Sequence, residues 1–302
     1  MAKEKLAFIG TGMIGAGLAV NAMMNGHPTA LYDMVDTEVV KARVAGIMDT
    51  LVEAGAYTRE QTEAGLKNAM YTNDLLEAVK DAVFVQECII ERLEPKQETY
   101  RKIQEACGNK PIICSSTSAL MPSKLQEGAL YPDRILVGHP FNPSYILPLM
   151  EIVGGQQTSK EAIAFAKEIY LSMGKQPSIC NKELYGYLVQ NINFKIREMC
   201  EQLVLEDVGT AEDVDNALRF GPGMRLPITG QLLTISMGVE GGWINLSRKY
   251  RGEEPNDDDK KLAKQIDEEL ANRPAELGNT VETAEKFRNK MLVGMLKMQG
   301  LL

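Results

Sequence analysis

The chain has 302 residues, enough for two domains, and its hydrophobic share of 44% and charged share of 25% are those of an ordinary globular protein. Its formal net charge of −8 argues against nucleic acid as a partner, because nucleic acids select basic surfaces. Its five cysteines lack metal-ligand spacing, the opening residues MAKEKLAFIG lack a secretory apolar region, and no apolar stretch is long enough to cross a membrane. We therefore expect a soluble cytoplasmic protein with reduced thiols, no bound metal and no membrane partner.

Short β-rich segments alternate with amphipathic segments in the first part of the chain. The predicted strands are LAFIG (6–10), TALYD (29–33), AVFVQE (82–87), PIICSS (111–116), RILVGH (134–139) and LMEIVGG (149–155). Apolar residues at helical spacing predict helices between several of them, for example over 38–53, 94–106 and 159–173. Alternation of this kind indicates an α/β fold with a doubly wound parallel sheet.

The pattern changes near residues 181–183. From there to the end no convincing strand is found, and helices are predicted over 187–205, 211–218, 257–270 and 281–298. We therefore expect two domains, an α/β domain over residues 1–184 and an all-helical domain over residues 185–302.

The first predicted strand leads directly into the glycine-rich segment IGTGMIG. Gly10, Gly12 and Gly15 have the G-x-G-x-x-G spacing of a dinucleotide-binding turn. Gly10 permits the tight turn, Gly12 lets the backbone approach a pyrophosphate, and Gly15 lets the next helix pack on the strand. Met13 and Ile14 open that helix, whose N-terminus favours an anion, so we count both among the cofactor-binding residues.

The second predicted strand ends in an acidic residue, Asp33. A carboxylate at this position accepts hydrogen bonds from both adenosine ribose hydroxyls and repels a 2′-phosphate. Glycine-rich turns alone are common, but this turn together with Asp33 predicts a Rossmann-type domain that binds NAD rather than NADP.

One of the two histidines, His139, lies at the end of a predicted strand and precedes Pro140, which disfavours a helical backbone there. Ligands of such sheets bind beyond the carboxyl ends of the strands, and an imidazole suits the removal of a hydroxyl proton at cellular pH. Glu151 lies among apolar residues, where a buried carboxylate needs a partner. The residues predict an acid–base pair, against the alternative of a histidine that closes a turn. The other histidine, His27, is expected to be structural.

The chain resembles the L-3-hydroxyacyl-CoA dehydrogenase family over nearly its whole length. The segments that carry the resemblance are IGTGMIGAGLA, ALYD, ECIIERLEPK, SSTSAL, GHPFNPSYILPLMEIVGG and GYLVQNINFKIREMCEQLV. The resemblance implies an NAD-dependent oxidoreductase that interconverts an L-3-hydroxyacyl-CoA or related 3-hydroxy acid with its 3-keto form. It also implies a homodimer whose helical domain binds substrate and partner.

The resemblance further assigns roles to individual residues. It implies that His139 and Glu151 form the catalytic dyad, that Ser118 sits at the reacting oxygen, and that Asn142 belongs to the wall of the site. It also implies that Glu91 and Lys96 lie near the nicotinamide ribose. On the residues alone, Ser118 has the alternative of a helix N-cap, and Lys96 that of a solvent-exposed helix face.

Two positions bear on the substrate and the chemistry. Where the family has an asparagine on the first helix of the second domain, this chain has Gln190, an amide that is one methylene longer. The segment RFGPGMRLPITGQLLT (219–234) resembles the branch that acts on free 3-hydroxy acids, the L-gulonate and carnitine dehydrogenases. Arg225 in that segment offers a fork for a substrate carboxylate, or else bonds carbonyls at a helix C-terminus.

Two other classes remain open from the sequence. The β-hydroxyacid dehydrogenases share the glycine turn but work with a lysine, which is missing at the start of the helix near Gly186. A non-catalytic NAD-binding or structural protein is the other alternative, and the intact His139, Glu151 and Ser118 argue against it.

Overall fold

The computed structural model describes residues 3–302. Its chain divides into two compact units, the first ending at Asn193 and the second beginning at Phe194. The predicted domain boundary after residue 184 stays a prediction. The first compact unit extends beyond that residue to Asn193 and takes in the start of the next helix.

Eight strands form a single sheet in the first unit, in the order β3-β2-β1-β4-β5-β6-β7-β8. They are β1 (Leu6–Ile9), β2 (Thr29–Tyr32), β3 (Ala69–Thr72), β4 (Phe84–Glu87), β5 (Ile112–Ser115), β6 (Ile135–Pro140), β7 (Leu149–Gly154) and β8 (Gln176–Cys180). All six predicted strands are present. The two edge strands, β3 and β8, were not among the predicted strands, because their segments AMYT and QPSIC are short and only partly buried.

The sheet is parallel except where β6 meets β7. A fully parallel sheet was expected, but the connection over residues 141–148 is too short for a parallel crossover, which needs a dozen or more residues. The antiparallel register places His139 directly opposite Glu151. The short connection therefore brings the two predicted dyad residues together.

Helices cover both faces of the sheet and enclose two hydrophobic cores. They are α1 (Met13–Met24), α2 (Thr37–Glu53), α3 (Arg59–Leu66), α4 (Leu75–Val79), α5 (Leu93–Cys107), α6 (Pro122–Leu125) and α7 (Lys160–Ser172). Side-chain caps begin several of them: Asp36 caps α2, Thr58 caps α3 in a capping box, and Ser159 caps α7. The doubly wound α/β prediction is confirmed.

The second unit consists of helices, with no strand in residues 194–302. Helix α8 (Tyr187–Leu205) begins in the first unit, and the rest are α9 (Ala211–Phe220), α10 (Pro222–Thr229), α11 (Gln231–Met237), α12 (Leu246–Arg251), α13 (Asp257–Ala271) and α14 (Val281–Met298). Its buried core is small and contains Leu233, Met237, Ile266 and Ala284. The all-helical prediction is confirmed. Among the described residues, 3–302, no helix combines the length and the apolar character that a bilayer crossing requires.

Candidate active site

The glycine turn after β1 has the close approaches that the motif requires. Gly10 has φ +87°, and a Cβ built there would lie 2.7 Å from the carbonyl oxygen of Cys88. A Cβ on Gly15 would lie 2.0 Å from the carbonyl oxygen of Gly10, so only glycine allows α1 to pack there. Gly12 caps α1 and has open space beside it, which lets a ligand reach the helix N-terminus.

A cavity of about 460 Å³ opens above this turn and is lined by Gly10, Gly12, Asp33, Cys88 and Ile90, among others. Burial acts to raise the pKa of Asp33, but hydrogen bonds from the Thr11 backbone N–H (2.7 Å) and hydroxyl (3.0 Å) outweigh it. The pKa of Asp33 therefore lies below its ordinary value, and the carboxylate is ionised at neutral pH. Glycine backbone, helix N-terminus and ionised acid together fit a dinucleotide.

The two predicted dyad residues are buried and in direct contact. His139 is 6% exposed and Glu151 is fully buried. The imidazole Nδ1 lies 2.8 Å from Glu151 Oε2. The other carboxylate oxygen accepts hydrogen bonds of 2.8 Å from the backbone N–H groups of Leu188 and Val189, in the first turn of α8. Two backbone N–H groups at a helix N-terminus thus face the carboxylate.

The hydrogen bond to Glu151 decides which nitrogen of His139 is free. A carboxylate only accepts, so Nδ1 carries a hydrogen, and in the neutral imidazole Nε2 then has the lone pair. Nε2 has no hydrogen-bond partner in the described part of the chain, and the ring lines a cavity of about 320 Å³. The arrangement can take a proton from a hydroxyl group in that cavity.

Most of the predicted reaction-site residues share this second cavity. Its lining consists of Ile14, Ser116, Ser118, His139, Pro140, Phe141, Asn142 and Gln190. The neighbour of Gln190 is turned away: the amide of Asn191 donates to the carbonyl of Tyr185 at 2.8 Å. Gln190, and not Asn191, therefore offers an amide to the cavity. Phe141 also lines the cavity but was not predicted, and the proline-rich segment around it is its only signal in the sequence.

Ser118 is not a helix N-cap. The nearby helix α6 begins at Pro122, and the Thr117 hydroxyl accepts the Leu120 N–H at 2.9 Å. The Ser118 hydroxyl makes no hydrogen bond to any residue from 3 to 302, while its N–H donates to Glu91 Oε1 at 3.0 Å. Its hydroxyl is therefore available to the cavity, and the N-cap alternative is wrong.

Lys96 is buried rather than exposed, so its solvent-face alternative is also wrong. It is 1% exposed and lines neither cavity; its ammonium lies 2.7 Å from Glu87 Oε1 and 3.4 Å from Glu91 Oε2. Burial acts to raise the pKa of Glu91, but hydrogen bonds from Thr117 and the charge of Lys96 outweigh it and lower the pKa. The buried ammonium of Lys96 therefore helps to keep the Glu91 carboxylate ionised.

The loop between β6 and β7, which carries Asn142, is held in place by hydrogen bonds to Lys175 and to α1. The ammonium of Lys175 is buried and donates to the carbonyl oxygens of Ser144 and Leu147, the latter at 3.1 Å. Burial lowers the pKa of Lys175 to about 8. The Ser144 hydroxyl donates to the carbonyl of Ile14 at 3.3 Å, so the loop is also tied to the first turn of α1.

Met13 and Arg225 are not among the residues that line the second cavity. Met13 is 70% exposed at the start of α1. Arg225 lies on α10 in the second unit, is exposed, and donates no hydrogen bond to a carbonyl among the described residues. His27 is structural as predicted: its ring nitrogens contact the Glu4 carbonyl at 3.0 Å and the Ser172 hydroxyl at 2.8 Å.

The fold and the site define a nicotinamide-dependent oxidoreductase: a dinucleotide turn followed by an ionised acid, and an imidazole–carboxylate pair on the same sheet edge. The family model "3-hydroxyacyl-CoA dehydrogenase, NAD binding domain" matches residues 5–184. The chain belongs to the 3-hydroxyacyl-CoA dehydrogenase family, its cofactor is NAD, and both predictions are confirmed.

Relatives and solved structures agree with this assignment. The chain is 36% identical to an L-carnitine dehydrogenase of Pseudomonas putida over 78% of this chain and 72% of that one. It is 31% identical to an L-carnitine dehydrogenase of Bacillus cereus over 98% and 92%. A 3-hydroxyacyl-CoA dehydrogenase of Archaeoglobus fulgidus has the same fold, with a TM-score of 0.72 at 24% identity over 99% of this chain and 100% of that chain. A 3-hydroxybutyryl-CoA dehydrogenase of Escherichia coli has a TM-score of 0.67 at 27% identity over 88% and 57%.

Proposed function

We propose that this NAD-dependent oxidoreductase oxidises the secondary alcohol of a small free 3-hydroxy acid, with His139 as the general base. The observation that carries the proposal is the 2.8 Å contact between His139 Nδ1 and Glu151, which leaves Nε2 open to a cavity of about 320 Å³. Nε2 takes the hydroxyl proton, and Glu151 stabilises the imidazolium that forms. Bound NAD would supply the hydride acceptor for the carbon that carries this hydroxyl group.

Ser118 and Gln190 orient the reacting oxygen in this proposal. Both line the cavity with His139, and the Ser118 hydroxyl has no competing partner within residues 3–302. A hydroxyl and an amide each donate one hydrogen bond to an alcohol or ketone oxygen. Asn142 lines the same cavity and is a further substrate contact in this proposal.

The cofactor-binding residues form two groups in the proposal. Gly10, Gly12 and Gly15 with the first turn of α1 hold the pyrophosphate, and Asp33 holds the adenosine ribose. Glu91 accepts hydrogen bonds from the nicotinamide ribose in this proposal. Its position between the Ser118 N–H and the Lys96 ammonium supports this role. Lys96 acts through Glu91 rather than on the cofactor itself.

A free acid is favoured over a CoA thioester as substrate. The curated relatives with 31% to 36% identity are named L-carnitine dehydrogenase, whereas the Escherichia coli 3-hydroxybutyryl-CoA dehydrogenase is 27% identical. Arg225 is exposed and unpaired among the described residues, and we propose that it binds the substrate carboxylate. A 3-hydroxyacyl-CoA is the second candidate, favoured by the family itself.

The test compares NADH formation from L-carnitine, L-gulonate and 3-hydroxybutyryl-CoA. We expect a free acid to have the highest kcat/KM, and Arg225→Gln to raise its KM about tenfold because one charge-assisted pair is lost. Arg219→Gln, which changes another exposed arginine of the second unit, is the control. A preference for the thioester, with KM unchanged by Arg225→Gln, supports the acyl-CoA candidate instead.

We also propose a cytoplasmic homodimer. The scattered cysteines, none of which pairs with another, suit a reducing compartment. In the second unit, α8 and α9 line an apolar cavity of about 630 Å³, and the tail over residues 291–302 carries exposed apolar side chains such as Met298 (81%). Sedimentation of the full chain tests the dimer: a monomer at micromolar concentration contradicts it.

A further inference from the structure

The first residue of α8, Tyr187, has an unusual backbone. Its φ is +51°, in the left-handed region that side chains other than glycine's rarely adopt, yet the residue is only 1% exposed. A non-glycine residue in this region is strained and persists only where the surrounding structure holds it. The contacts around Tyr187 account for its conformation.

Tyr187 contacts the proposed dyad on one side and the Ser118 loop on the other. Its ring centroid lies 5.3 Å from that of His139, with an interplanar angle of 59°. Its hydroxyl donates to the carbonyl oxygen of Leu120 at 3.0 Å. The N–H groups of the next two residues, Leu188 and Val189, are the two backbone donors to Glu151.

We propose that Tyr187 is a positioning residue for the His139–Glu151 dyad, an inference that rests on the proposed function. Its ring limits the tilt of the imidazole, and its left-handed backbone directs the following two N–H groups at the carboxylate. Tyr187 does not line the cavity of about 320 Å³, so it acts through His139 and touches no reacting atom. Burial, with the charges of Glu91 and Glu151, raises the pKa of Tyr187, so its hydroxyl stays protonated as a donor.

The test separates the ring from the hydroxyl. Tyr187→Phe keeps the ring, and we expect kcat to stay within about threefold of wild type, because only one neutral hydrogen bond is lost. Tyr187→Leu removes the ring, and we expect kcat to fall roughly tenfold or more while KM and the Kd for NADH change less than about threefold. Tyr185→Leu, at a neighbouring tyrosine that is 66% exposed, is the matched control and should leave all three unchanged.

A merely structural role makes a different prediction. In that case Tyr187→Leu lowers the Tm, while kcat per NADH-binding site and its pH profile remain those of wild type, and the inference is overturned. If Tyr187→Leu fails to fold, Tyr187→Met fills similar space without a ring and gives the same measurement.

A double variant distinguishes this inference from the proposed function. If Tyr187 acts through the imidazole, adding Tyr187→Leu to His139→Ala should lower kcat no further. If the two losses multiply, Tyr187 acts independently and the inference is wrong. If His139→Ala alone keeps wild-type turnover, the dyad itself fails, whatever Tyr187 does.

Discussion

Two buried glutamates lie in the same sheet, Glu87 on β4 and Glu151 on β7, and each contacts a basic side chain. Glu87 is fully buried, and its partners are buried too: the Lys96 ammonium at 2.7 Å, the Tyr100 hydroxyl at 2.5 Å and the Ser115 hydroxyl at 2.7 Å. The Ile89 N–H also donates to it at 2.7 Å. Every oxygen of Glu87 is therefore used within the protein.

Glu151 is as deeply buried, but its basic partner, His139, has a second nitrogen that does not contact the carboxylate. His139 uses Nδ1 for Glu151 and presents Nε2 to the cavity it shares with Ser118 and Gln190. Lys96 has no such free side, because its ammonium lies among Glu87, Glu91 and the Ile89 carbonyl. Burial of a charged pair is common to both clusters, so burial alone does not indicate catalysis. A partner that reaches a cavity does.

The sharpest test of this difference is the loss of the imidazole. We expect His139→Ala to lower kcat roughly 10²-fold or more while NAD still binds, because the general base is lost and the glycine turn is untouched. His27→Ala is the matched control, since it removes the other buried histidine and should lower the Tm without changing kcat. Wild-type turnover in His139→Ala, measured as NADH formation, contradicts the dyad.

The opposite result is expected for the cluster of Glu87, Lys96, Tyr100 and Ser115, which we call the closed cluster because none of its members lines either cavity. Glu87→Gln leaves the Lys96 ammonium buried without its nearest carboxylate, and we expect a loss of about 3 kcal/mol in the free energy of unfolding. Turnover of the folded enzyme should change less than about threefold. Urea unfolding checks the first value, and Glu98→Gln, at an exposed ion pair with Lys102, should leave the unfolding midpoint unchanged. A large fall in kcat with normal stability would assign Glu87 to the chemistry.

Replacement of Glu151, whose partner His139 reaches a cavity, should change the reaction rate rather than the stability. Glu151→Gln keeps a hydrogen-bonding group of the same size but removes the charge that stabilises the imidazolium, so we expect kcat to fall roughly 10- to 100-fold. The Kd for NADH should stay near wild type, because Glu151 does not line the cofactor cavity. Equal losses of rate and cofactor affinity, measured by fluorescence titration, indicate a folding role instead.

Elements with a strong local signal were open to prediction from the sequence. Helix α8 was predicted at its observed bounds, and the pair His139 and Glu151 emerged from one histidine before a proline and one acid among apolar residues. The glycine turn was equally direct, since the close approaches at Gly10 and Gly15 exclude any side chain. In these cases the local sequence itself carries the steric or electrostatic reason for the structure.

Features that depend on tertiary contacts were not predictable. Lys96 stands in a polar helical sequence, and only the sheet beneath α5 brings Glu87 to its ammonium. The helix α3, REQTEAGL, has too few apolar residues to show a periodicity, although Thr58 and Gln61 form its capping box. The left-handed backbone of Tyr187 has no signal in the sequence, because the groups that surround it, such as the His139 ring and the Leu120 carbonyl, come together only in the folded chain.

Two serines of one segment provide the finest version of the comparison. Ser115 donates to Glu87 in the closed cluster, and Ser118, three residues on, presents its hydroxyl to the cavity with His139. We expect Ser118→Ala to lower kcat/KM roughly three- to tenfold, the value of one hydrogen bond to the reacting oxygen, with no change in Tm. Ser115→Ala should instead lower the free energy of unfolding by about 1.5 kcal/mol, because a buried carboxylate loses one donor, and should leave kcat/KM unchanged. If both variants lose rate, the two clusters are coupled through the segment that joins them, and Glu87 belongs to the site after all.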